Sequence, residues 1–268
     1  MKKLLFLSTL LFSMLVCVAF VSCSKDDDEK EEQTEKPDTP DTSTDAAVKA
    51  GYCPDTKHPH LINLGGGMFW ACCNVGAKNP YDFGGFYAWG ELEEKKTYNI
   101  TTYEYSDKKN DDSCWELDKM FKYRSYSMPD HYSISSTQFD VAFVKWGKQW
   151  MMPNDTDAEK LIKNCKFEMT KLNGVDGCKL TGPSKKYIFL PAGGFKFDNQ
   201  HQATFTLGTG FGQEYPCGLF WVGTRYPGDF ATEPWDGEGF YFCTLEISDY
   251  PSYRPWGQMV RPIKNSFY

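Results

Sequence analysis

The chain is 268 residues long, 41% hydrophobic and 16% aromatic, with a net charge of −7. Nothing in that balance resembles the clustered basic face that nucleic-acid binding requires, so no nucleic-acid partner is expected. The length suffices for one good-sized core or two small ones, and short aromatic runs broken by Gly, Pro, Asn and Asp favour many short strands joined by long loops.

Lys2 and Lys3 precede an almost wholly apolar stretch from Leu4 to Val21, the layout of a cleaved secretion signal over residues 1–22. A spanning helix needs about 20 apolar residues and usually basic flanks, whereas the far flank here is strongly acidic. Phe20-Val21-Ser22-Cys23 resembles the lipobox of bacterial lipoproteins. That resemblance implies a diacylglycerol thioether on Cys23 and a lipid anchor in the membrane. Ser24-Lys25-Asp26-Asp27-Asp28 resembles the export tag of surface lipoproteins of the Bacteroidetes, which implies the outer membrane, facing the exterior. Residues 26–45 hold ten acids against two lysines, with Pro37 and Pro40. Such a stretch cannot bury apolar surface, so residues 23–47 read as a lipidated, disordered acidic tether. The tether carries most of the negative charge and leaves residues 48–268, read as a single domain, nearly neutral.

Along that domain, Cys53, His58 and His60 offer a metal trio, but zinc sites normally add a second ligand pair and no metal is assigned. Asp140 to Trp146 reads as a short helix stopped by Gly147, and Thr156-Asp-Ala-Glu159 as the capping box of a second, with Leu161 and Ile162 opening its buried face. That context makes Asn154, Asp155 and Asp157 helix-start residues. Ile188–Leu190, Leu219–Val222 and Met259–Val260 read as core strands, and Gly239–Ile247 as a strand with Tyr241, Cys243, Leu245 and Ile247 on one buried face. In "EPWDGEG" (233–239), Glu233, Asp236 and Glu238 lie close together beside Trp235 and supply the oxygen type calcium needs; a generic acidic loop is the preferred reading.

Five ordered stretches carry a family resemblance: "FWACCNVGAKNPYDFGGFYAWGE" (69–91), "VAFVKWGKQWMMPNDTDAEKLIKNC" (141–165), "GVDGCKLTGPSKKYIFLPAGG" (174–194), "GLFWVGT" (218–224) and "GQMVRPIK" (257–264). Together they resemble the Fibrobacter succinogenes major paralogous domain over roughly residues 61–264. The resemblance implies an α+β, C-type-lectin-like domain, with two helices packed on a twisted antiparallel sheet under long loops. The chain departs from the family pattern at Asn63, at Met151 where an arginine is usual, and at Trp221-Val222-Gly223-Thr224. These departures bear on local packing. Residues 98–138 match poorly and read as a variable, Tyr-rich loop region.

Eight cysteines follow Cys23. Their irregular spacing favours buried free thiols over disulfides, with any pairing left open; Cys72 and Cys73, on one strand, are expected to point to opposite faces. Formylglycine-generating enzymes use the same fold with a thiol pair and copper. The late candidates Cys217 and Cys243 lack that family's Gly-Phe-Arg-type signature, so no cofactor and no catalysis are expected. The reading is a binding or adhesion module for a glycan or surface protein, with Tyr103, Tyr105, Trp235 and Asp236 as candidate ligand-binding residues. The alternatives are an accessory component of a surface assembly and a formylglycine-generating-type oxidase.

Overall fold

Alternation makes the first strand: in Leu61–Gly65 (β1), exposed Leu61 and Asn63 alternate with buried Ile62 and Leu64. The computed structural model describes residues 60–106, 133–206, 214–225 and 236–266. β1 pairs antiparallel with Met68–Ala71 (β2) across a turn in which Gly65, Gly66 and Gly67 all have positive φ, a conformation only glycine adopts freely. The chain's last strand, β15 (Ile263–Lys264), inserts between β2 and β3 (Trp150–Met151), so distant segments close this sheet.

A second sheet is the meander β4 (Lys166–Leu172), β5 (Val175–Thr181) and β6 (Tyr187–Pro191). Asn173-Gly174 turns β4 into β5 with both residues at positive φ, the geometry that suits strand twist in a two-residue hairpin. A third sheet pairs β11 (Gly218–Arg225) with β12 (Asp236–Phe242), which also pairs with β13 (Ile247–Asp249) and β14 (Ser252–Tyr253). Two ribbons, β7–β8 (Phe195–Phe197, Gln200–Gln202) and β9–β10 (Thr204–Thr206, Glu214–Pro216), complete an antiparallel architecture with two helices among the described residues. Neither helix is long and apolar enough to cross a membrane.

Helix α1 (Val141–Trp146) follows the sequence reading, with Asp140 as its N-cap and Gly147 ending it at φ 94°. Asp140 is fully buried and accepts backbone N–H groups from Ser136, Ala142, Phe143 and Met152. Helix α2 (Asp155–Asn164) corrects the reading: its capping box is Asn154 with Asp157, two residues before the expected Thr156–Glu159 pair. The Asp155 N–H is bonded to Thr224 Oγ1 at 3.0 Å, a tertiary contact that places the helix start earlier than local pattern suggests.

The expected strand Gly239–Ile247 is also corrected. β12 ends at Phe242, a turn closed by Cys243 N–H to Glu246 O intervenes, and Leu245 at its tip is 62% exposed. The alternation misleads because β11 and β12 are buried on both faces: Phe220, Phe240 and Phe242 pack into the main core with Trp70 and Trp89, while Leu219 and Tyr241 join Phe195, Cys217 and Cys243 in a second cluster. Met259 and Val260 are buried as expected, but Met259 meets β11 through a single parallel bridge to Phe220 and belongs to no regular strand.

Cys165, Cys178, Cys217 and Cys243 are free thiols, and of the six described cysteines all but Cys165 are buried; Cys53 and Cys114 lie outside the described residues. Cys72 and Cys73 do not diverge. β2 ends at Ala71, strand alternation ends with it, and the two Sγ atoms lie 3.7 Å apart. Met151 is buried in β3, where its sulfur accepts a bond from Ser136 Oγ at 3.2 Å.

Candidate functional site

The stretch from Phe86 to Ser106 has no regular strand or helix, so its shape rests on side chains inserted into the core. Trp89 is fully buried and donates from Nε1 to Val222 O at 2.9 Å. Tyr98 and Tyr103, also buried, donate their hydroxyls to Phe86 O at 2.6 Å and Trp89 O at 2.7 Å. Each aromatic body fills the core while its polar end satisfies a backbone carbonyl.

On this frame sits an acidic cleft of about 400 Å³ lined by Glu91, Glu93, Glu94, Glu104, Lys95 and Tyr105. Glu91, 6% exposed, accepts Lys95 Nζ through Oε2 at 2.7 Å and the Glu104 N–H through Oε1 at 2.7 Å, binding the two ends of the stretch together. Lys95 lies 5.6 and 5.5 Å from the ring centroids of Tyr98 and Tyr103, and burial lowers its pKa despite Glu91 beside it. Glu94 Oε1 accepts the Phe86 N–H at 3.0 Å. Glu93, by contrast, points outward with its side chain 83% exposed and pairs with Lys145 from α1 at 2.9 Å. Tyr105, half-buried, meets Tyr103 and Phe139 edge-on at 5.7 and 5.5 Å. Burial, Glu104 and Glu91 push its phenol pKa upward, so it stays a neutral hydrogen-bonding group.

Of the candidate ligand residues, Tyr105 therefore lines a cleft. Tyr103 does not: it is fully buried because its hydroxyl is committed to Trp89 O, which corrects its reading as an exposed contact. Asp236 is half-buried at the start of β12, where its carbonyl accepts Arg254 Nε at 3.1 Å, and Glu238 is buried on the same strand; the expected acidic loop is strand from Asp236 onward. Trp235 and Glu233 lie outside the described residues, as do Tyr123, Tyr126 and Tyr132, Cys53 and His58, and Cys23 with Ser24, Lys25, Asp26, Asp27 and Asp28. His60 donates its backbone N–H to Cys72 Sγ at 3.4 Å. Among the described residues, no group of three His, Cys, Asp or Glu side chains is arranged to hold a metal.

Cys217 and Cys243 share the second core cluster, both fully buried. Burial, with Cys243 nearby, pushes the Cys217 thiol up to about 12, an environment that disfavours the thiolate needed for attack. The residues that sequence reasoning missed are Glu93, Glu94, Lys95 and Glu104. For Glu93, Glu94 and Lys95 the signal was a run of charges just after the Trp-Gly-Glu block, which composition alone assigns to a solvated loop; Glu104, between Tyr103 and Tyr105, had no such signal. Comparison with protein-family models, with curated proteins and with solved structures finds no match.

Proposed function

We propose that this chain is a lipid-anchored protein of the outer membrane whose C-type-lectin-like domain faces the exterior and binds a ligand without catalysis. The observation that carries the binding reading is the Glu91–Tyr105 cleft. Its frame is fixed by buried tyrosines and by Glu91, while Glu93, Glu104 and the Tyr105 ring remain accessible. A preorganised site of this sort loses little conformational freedom on binding. Its acids select a cationic partner, and the ligand class that fits is a basic segment of a surface protein. The long loops and antiparallel frame support the C-type-lectin-like assignment, which rests on the five sequence blocks. The oxidase alternative receives no support from the deeply packed Cys217 and Cys243.

The test is binding of a lysine-rich peptide to the full chain. Retention at low salt that falls as salt rises is the expected behaviour of an exposed acidic site. Glu93→Gln with Glu104→Gln should weaken retention about tenfold, a difference of about 1.4 kcal/mol, while changing stability within about 0.5 kcal/mol because both side chains are exposed. Tyr103→Ala should instead unfold the cleft frame, costing about 3–5 kcal/mol as buried aromatic truncations do. Unchanged peptide retention in the glutamine double variant would remove the cleft from consideration.

Localisation has its own test. Cys23→Ala should leave the protein out of the membrane fraction, and radiolabelled palmitate still incorporated into that variant would sink the lipobox reading.

A further inference from the structure

The first sheet and α2 together form a second cavity, of about 420 Å³, with walls from β2, β3, β15 and the first turns of α2. That volume lies in the range of roughly 300–1,000 Å³ typical of small-ligand sites, and the wall here is more polar than apolar. The apolar part comes from Trp70, Met151 and Ile263 and from the half-buried ring of Phe69. The polar part includes two cations and an acid. Lys160 of α2 and Lys264 of β15 both line the cavity and are both exposed, and neither ammonium lies within ion-pair distance of a carboxylate among the described residues.

Lys95, Lys145, Lys163 and Lys171 each reach a Glu or Asp within 2.9 Å, whereas Lys160 and Lys264, like several other lysines of the domain, do not; what sets these two apart is that they share one cavity wall. The acid in the cavity wall, Asp157, has one oxygen committed to capping α2, accepting the Asn154 N–H at 3.1 Å. Lys264 Nζ sits 5.7 Å from the centroid of the Phe69 ring, which places a cation beside an aromatic face on the cavity wall.

We propose that this cavity binds an acidic sugar, a pyranose bearing a carboxylate. Three features select that class together. An apolar ring face of the sugar packs on Phe69, as aromatic side chains offer a flat contact area. The carboxylate takes charge-assisted hydrogen bonds from Lys160 or Lys264. The sugar hydroxyls donate to the second carboxylate oxygen of Asp157 and exchange bonds with the Ser266 hydroxyl, both on the cavity wall. A bare anion leaves Phe69 unused. Among the described residues, a neutral sugar brings no charge to Lys160, which otherwise feels only the carboxylate of Asp157, or to Lys264, which otherwise has only the Phe69 ring beside it. The site shares no residue with the acidic cleft and does not depend on it.

The full chain is titrated calorimetrically with D-glucuronate, D-glucose and acetate. Glucuronate should bind in the millimolar range or tighter, with glucose and acetate each weaker by about tenfold or more. Lys160→Gln with Lys264→Gln should weaken glucuronate about tenfold without lowering Tm, while Glu93→Gln with Glu104→Gln should bind it like the parent. Four outcomes overturn the proposal: no heat with glucuronate, glucuronate affinity unmoved by the lysine substitutions, acetate binding equally well, or glucose binding equally well. Because the glutamine variants at 93 and 104 are scored with lysine-rich peptide and those at 160 and 264 with glucuronate, either site can fail alone.

Discussion

Arg261→Ala should cost the domain about 4 kcal/mol or more, since hydrogen bonds to charged groups contribute about 1.5–3 kcal/mol each and buried acceptors left without donors cost more still. Arg261 is fully buried, yet its guanidinium is satisfied from several directions. Nε donates to Asn74 Oδ1 at 2.7 Å, Nη1 to the carbonyls of Ala71 and Cys72 at 3.2 Å each, and Nη2 to Phe189 O at 2.8 Å. Those acceptors belong to the end of β2, the loop after it and β6, so one side chain ties the first sheet to the second. Lysine at 261 cannot reproduce the fork and should recover little of the loss. Chemical denaturation of the two variants checks this, and a loss under about 1 kcal/mol would mean that water replaces the guanidinium, placing Arg261 outside the residues that hold the sheets together.

The same residue shows where sequence reading stops. The block "GQMVRPIK" is recognisable, but nothing local distinguishes Arg261 from a surface arginine; its acceptors lie 72 to 190 positions away. Helix α1 was legible because its start and stop are both local, Asp140 capping Ala142 and Phe143 and Gly147 taking a positive φ. The start of α2 was misplaced by two residues because Asn154/Asp157 and Thr156/Glu159 are both acceptable boxes, and the bond from Asp155 N–H to Thr224 Oγ1 decides between them. Strand β12 failed for a different reason: burial on both faces removes the alternation that signals a strand, and the apparent alternation across 239–247 ran through a turn. At the site, the Tyr-rich stretch offered Tyr103 and Tyr105 alike as candidates, and pattern could not tell that Tyr105 lines a cleft while Tyr103, two residues away, is buried. The deciding contact, the Tyr103 hydroxyl on Trp89 O, is again tertiary. The cleft's glutamates were missed because charge runs carry no shape until Glu91 fastens them to Glu104 and Lys95.

Glu238→Gln should stabilise the domain above neutral pH, an uncommon sign for a point substitution. Glu238 is only 9% exposed on β12, and its Oε2 has no hydrogen-bond partner among the described protein atoms. Burial first, then repulsion from Asp249, Asp155 and Asp236, raises its pKa from the ordinary 4.5 to about 7. A carboxyl whose folded pKa exceeds its unfolded value binds its proton more tightly when folded. Its contribution to stability is complete below pH 4.5 and is lost as pH rises through about 7. A tenfold difference in proton affinity corresponds to about 1.4 kcal/mol, so the parent should lose on the order of 3 kcal/mol across that window from this group. Asp140, buried and raised to about 6, adds a loss of the same sign in the parent and in the variant, so the comparison between them cancels it. Gln keeps the shape of the protonated acid and cannot ionise. The two proteins should therefore melt together near pH 4.5 and separate by pH 8, with the variant higher. Parallel Tm-against-pH curves for parent and variant would show that Glu238 reaches solvent or a cation when charged, and its burial would then place no cost on the folded state.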